Sequence, residues 1–151
     1  LLIFFYISLF KLYNIFMQLL KNLPILITGL ILGIIIYQSL FIAPSINKIL
    51  SEEYASKYLR YIWPIFFIII TSLSILSFFL IVFFNSEQNI PKYISAVSVI
   101  LMTICYLSIP YMNEARDSLN DSRFVFLHSL SVILTLITLI INSLIFVFWK
   151  Y

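Results

Sequence analysis

The sequence predicts an all-α integral membrane protein, a bundle of four transmembrane helices, and three observations carry that reading. Of 151 residues, 63% are hydrophobic and only 10% are charged. Soluble domains carry roughly a quarter charged residues, so this chain cannot cover a water-facing surface. Four apolar runs of spanning length follow one another, and ten of the fifteen charged residues are confined to two connections. Together these exclude a soluble globular enzyme, a disordered chain and a disulfide-stapled secreted domain. The net charge of +3 is too small and dispersed for nucleic-acid binding.

The runs cover residues 23–43, 62–84, 93–109 and 124–149. The first two hold no charge, and each opens near a proline, Pro24 and Pro64, read as first-turn prolines that cost a helix nothing. The third is the shortest and is expected to end before Pro110. The fourth is long enough to span with tilt, with Trp149, Lys150 and Tyr151 as an interfacial anchor. Helices are required because lipid offers the backbone no hydrogen-bond partner, and nothing alternates like barrel strands. Residues 1–16 are an uncertain leader, too short to span before Lys11 and Asn14. They are read as upstream translation ahead of a start at Met17, with residues 17–151 forming a single membrane domain.

The connections at 44–61 and 110–123 are separated by two spans and therefore lie on one side of the membrane. They carry Lys48, Lys57, Arg60, Arg116 and Arg123 against Lys21, Lys92 and Lys150 opposite, with Lys11 added there if the leader belongs to the protein. This bias places the charged connections in the cytoplasm and the termini outside, in a membrane read as the bacterial inner membrane. Pro44-Ser45-Ile46-Asn47 and Pro110-Tyr111-Met112-Asn113 stand 66 residues apart and suggest two duplicated hairpins.

Gly29 and Gly33, the only glycines, form GxxxG in the first span. The motif fits packing inside the bundle better than a homo-oligomer seam, though both use it. In the fourth span His128, Ser131, Thr135, Thr138 and Asn142 share one helix face, and Thr71, Ser74 and Ser77 do so in the second. Such stripes face protein or water, and interhelical hydrogen bonding is their ordinary use. Ser51 before Glu52 and Glu53 reads as a helix N-cap. Ile46, Leu50, Tyr54 and Tyr58 at spacing four suggest an amphipathic interfacial segment.

His128 lies five residues past Arg123, about 7 Å deeper along its helix. It is the single histidine of the chain, the residue type that serves as metal ligand and proton shuttle. Its convergence with Arg60, Asn113, Glu114, Arg116 and Asp117 at one membrane boundary defines a candidate polar site. Gly29, Gly33, Ser131, Thr135 and Thr138 are the candidate packing residues. No Gly-rich phosphate loop, paired nucleophile and base, or intramembrane carboxylate pair is present, so no catalytic residue is assigned. Cys105 is alone and one His makes no metal site, so neither metal nor cofactor is assigned; haem is the alternative.

Two stretches carry a family resemblance. Residues 41–64 hold Phe41, Ala43 and Pro44, a following Leu, and the Trp63-Pro64 entry to the second span. Residues 109–131 hold Pro110, Asn113, Arg116 and Asp117, then Phe124, Leu127, His128 and Ser131. The chain resembles the transmembrane protein 205-like family, domain of unknown function 4149, over about residues 19–148. The pattern departs at Asn47, where an aromatic is frequent, and at Thr135, where Asn is frequent. The resemblance implies a four-span membrane protein without a settled activity and supplies no substrate. A second resemblance, to four-span haem-linked membrane oxidases, shares size and topology, but those carry several intramembrane histidines. The leading expectation is thus a small binding or transport-associated protein whose partner is the lipid bilayer. A haem-dependent redox protein or an accessory subunit of a membrane complex is the alternative.

Overall fold

The computed structural model describes residues 2–150, with the side chains of 2–5 and of Asn47 outside the described set, as Tyr151 is. Helix α1 (Leu2–Tyr37) passes into a π-helical segment (Gln38–Ile42) and then α2 (Ala43–Ile49). Helices α3 (Glu52–Phe84), α4 (Asn89–Asp117) and α5 (Asp121–Phe148) follow. Among the described residues four helices are long and apolar enough to cross a membrane, and the protein is a multi-pass membrane protein. The bundle runs α1, α3, α4, α5 around a closed ring, with α1 meeting α5 less extensively than it meets α3.

The core comes mainly from Ile27, Ile31 and Ile35 of α1, Phe66, Phe67 and Ile70 of α3, and Met102, Cys105 and Ile109 of α4. What α5 buries is largely polar: Ser131, Thr138 and Asn142. Asn142 Nδ2 donates to Ser98 Oγ at 2.8 Å and to Thr138 O at 2.8 Å, and Ser77 and Ser95 share a hydroxyl contact at 3.4 Å. Ser74 and Ser77 of α3 and the stripe on α5 below the exposed His128 therefore face protein.

The charged connections differ from expectation. Instead of long loops, α3 begins at Glu52 and α4 runs on to Asp117, so only Leu50–Ser51 and Ser118–Asn120 break the helices. Pro24, Pro64 and Pro110 sit inside helices rather than at their ends. Each removes a single N–H donor, a loss that transmembrane helices tolerate when neighbours pack around it. The polar extensions hold each other through ion pairs from α3 to α4, which supplies the contacts that a lone proline-started helix lacks. Ser51 occupies the N-cap position of α3 without a side-chain capping bond. The break at Leu50 also separates Ile46, on α2, from Tyr54 and Tyr58, on α3, so no continuous amphipathic segment forms. The two halves differ here: Pro44 follows the π segment, whereas Pro110 lies in an unbroken helix.

The opposite end of the bundle is fastened. Asn85 Nδ2 donates to Lys21 O at 3.0 Å. Gln88 Nε2 donates to Lys150 O, and Lys150 N donates back to Gln88 Oε1 at 3.2 Å. Trp149 is buried against Ile81 and Ile145. Residues 2–16 continue straight into the first span as part of α1.

Candidate functional site

At the charged end the helices part around a cavity of about 750 Å³. Its walls are mostly apolar, with Ile35 from α1, Trp63 and Phe67 from α3, Ile109 and Met112 from α4, and Leu139 from α5. Ligand pockets run from about 300 to 1,000 Å³ and have this make-up, apolar with a few convergent polar groups. Those groups gather at the mouth: Glu52, Arg60, Asn113, Arg116 and His128. Deeper in, Ser131 and Thr135 join the wall, but their hydroxyls donate to the backbone carbonyls of His128 and Ser131.

Above the mouth lies a second, polar hollow of about 630 Å³, lined by Glu52, Glu53, Ser56, Lys57, Arg60, Arg116 and Asp117. Glu52, Ser56, Arg60 and Arg116 belong to both spaces and form the layer between them.

Two ion pairs cross that layer. Arg60 donates through both terminal nitrogens to Asp117, with Nη1 to Oδ2 at 3.1 Å, and Arg116 Nη2 meets Glu52 Oε1 at 2.6 Å. Hydrogen bonding to Arg60 holds the Asp117 carboxyl below the usual carboxylate range, and the same bond raises the Arg60 guanidinium. The partners are unequal in exposure. Arg60 and Arg116 keep 35% and 36% of their side-chain surface, while Asp117 and Glu52 keep 62% and 86%. The arginine is thus the more covered partner in each pair, and Glu52, though it lines both spaces, is largely exposed.

Arg116 also lies over the Phe124 ring, 5.0 Å from its centroid, and Phe124 stacks on His128 at 5.8 Å with 6° between the planes. His128 is an exposed residue, and its imidazole lies against the Phe124 ring. Glu114 faces away and meets Arg123 at 3.4 Å. Four of the six expected polar residues, Arg60, Asn113, Arg116 and His128, line the cavity; Asp117 reaches only the upper hollow. Thr138 is fully buried outside the cavity and bonds Leu134 O.

Gly29 and Gly33 depart from expectation, because both are exposed and make no close helix packing. A Cβ at Gly29 would meet Phe146 Cζ at 3.8 Å, and one at Gly33 nothing within 4 Å. The neighbouring helices pack on the Ile27–Ile31–Ile35 face instead, where bulkier side chains bury more area.

Sequence reasoning missed Glu52 as the partner of Arg116, since nothing in local spacing links residues 64 apart. It also missed the π segment, whose Ser39 and Leu40 line the cavity. Such segments cluster at functional sites. Gln38 there, and Ser74 on α3, bury side-chain atoms without a partner among the described residues. Among the described residues no group of three or more His, Cys, Asp or Glu is placed to hold a metal ion.

A family model described as a domain of unknown function, DUF4149, matches residues 26–117, more than half of the chain. The match takes in the cavity walls from α1, α3 and α4 and stops before α5. No curated protein and no solved structure matches the chain.

Proposed function

The chain belongs to the DUF4149 family, and on that premise we propose that it binds a small amphipathic molecule in the cavity beneath its charged rim, as a binding or transport-associated membrane protein. The observation that carries this reading is the cavity itself: about 750 Å³, apolar in its depth and polar at one end. Arg60, Asn113, Arg116 and His128 would orient the polar end of the ligand, and Trp63, Phe67 and Leu139 would receive the rest.

The transmembrane protein 205-like assignment is supported by the motif residues Phe124, Leu127, His128 and Ser131, which lie beyond the matched segment. An inner-membrane location with outward termini is supported by the excess of cations on the connection side. Self-association through the first span is supported by the exposed Gly29 and Gly33. The haem reading keeps one supporting observation, His128 on the cavity wall.

The experiment is native mass spectrometry of the full chain released from mild detergent. Thr135→Phe fills the cavity from a lining position, and Ile133→Phe, exposed and outside the lining, is the control. A small molecule retained by the wild type and by Ile133→Phe but lost from Thr135→Phe is the expected result. Equal retention by all three, or none by the wild type, overturns the reading.

A further inference from the structure

The inference deepens the reading just given and rests on it. We propose that the ligand is an acyl chain with an anionic head, a carboxylate or a phosphate, that enters from the bilayer between α1 and α5 and seats its head on Arg60 and Arg116.

The two stacked spaces match the two parts of such a molecule. The lower chamber is apolar and the upper hollow is polar, and Arg60 and Arg116 lie in the layer common to both. From His128 to Leu139 the chamber follows eleven residues of α5. At 1.5 Å per residue that is about 16 Å, close to half of the roughly 30 Å hydrocarbon core and so to one leaflet. A chain in this chamber stays at the depth it held in the membrane.

The chamber also opens towards lipid. Ile36 and Leu40 on one side, and Val132 and Leu136 on the other, line it while remaining 43%, 66%, 51% and 52% exposed. Residues that wall a cavity and are also outward-facing mark a lateral gap, here where α1 gives way to the π segment.

The sign of the head follows from the unequal ion pairs. The arginine side chains that line the chamber mouth are the more covered partners, whereas Asp117 lines only the upper hollow and Glu52, which shares the mouth, is 86% exposed. Solvent-exposed ion pairs contribute little net stability, so Asp117 and Glu52 are replaceable counter-ions. A ligand anion tethered by its chain acts at high effective concentration. The planar guanidinium fork suits both carboxylate and phosphate. Released, the two side chains turn into water they already contact. A cationic head would have to displace Arg60 from Asp117 or Arg116 from Glu52, leaving the more covered member of the pair without a counter-ion.

The test uses the full chain in phosphatidylcholine vesicles with three diazirine-bearing probes: palmitate, lysophosphatidate and hexadecanol. Adducts are mapped by peptide mass spectrometry. The expected result is labelling at residues 36–40 and 132–139 by one or both anionic probes, about tenfold above hexadecanol. Palmitate alone points to free fatty acid and lysophosphatidate alone to a phosphate lipid. The Arg60→Gln, Arg116→Gln double variant loses that preference, and the corresponding double Lys variant, which keeps the charge, regains part of it. Equal labelling of the chamber by hexadecanol overturns the anionic head and leaves the binding cavity standing. Labelling confined to other surfaces overturns the proposal. If the wild type also retains no small molecule in native mass spectrometry, the parent reading falls with it.

Discussion

Arg60 and Asp117, 57 residues apart in sequence, meet through a two-pronged ion pair that joins the N-terminal extension of α3 to the last turn of α4. The pair bridges the layer between the apolar chamber and the polar hollow, and its acid dependence follows from the lowered Asp117 carboxyl. A carboxyl depressed by folding adds stability above its unfolded value, near 3.9, and loses it as pH falls through the folded value. Thermal unfolding in detergent at about pH 7 and about pH 3 should therefore show a smaller acid-induced drop in Tm for Asp117→Asn than for the wild type. An identical drop would mean that the pair does not couple to folding.

Leu119 is the positive-φ non-glycine residue of the α4–α5 turn, at φ 54°. Asn120 N bonds Ala115 O at 2.9 Å and Leu119 N bonds Arg116 O at 3.2 Å, the two bonds of a Schellman ending. Glycine ordinarily takes this place, because a Cβ costs roughly 1–2 kcal/mol in the left-handed region. Since Leu119 is 85% exposed, little packing offsets that cost. Leu119→Gly should raise unfolding stability by about 1 kcal/mol, and Leu119→Ala should not. Chemical denaturation of both variants checks this.

Asn142 and Ser98 form a buried side-chain contact between α5 and α4. Interhelical hydrogen bonds in membrane bundles average about 0.6 kcal/mol, with a maximum near 1.7. A double-mutant cycle of Asn142→Ala and Ser98→Ala should give a coupling in that range. A coupling near zero would mean that the two residues are satisfied by other partners.

Gly33 faces open space, so Gly33→Leu should leave helicity and Tm unchanged while reducing any cross-linked dimer of the full chain. A large fall in Tm would show that the glycine face is packed within the bundle.

The haem reading has its own measurement. An absorbance scan of the purified protein should lack a Soret band, and a band abolished by His128→Ala would restore that reading.

The spans were legible because the absence of charge over twenty-residue stretches has one physical meaning. The juxtaposition of Arg60 with Arg116 and Asp117 was also legible, since two intervening spans return the chain to the same side. Helix ends were not. Pro64 and Pro110 carry the chemistry of helix boundaries, yet long-range ion pairs extended both helices past them. The glycine pair was misjudged for a related reason: GxxxG says that a helix face is narrow, not which neighbour uses it. The cavity depends on where α1 departs from α5, a relation between distant segments that no local pattern encodes.

The bonds from Asn85 to Lys21 and between Gln88 and Lys150 have a mechanical consequence. They pin the helices at one boundary as a rivet pins the blades of a fan, so the same angular swing displaces the far tips most. A common tilt of the helices about those bonds would therefore carry the arginine rim further than it carries Trp149.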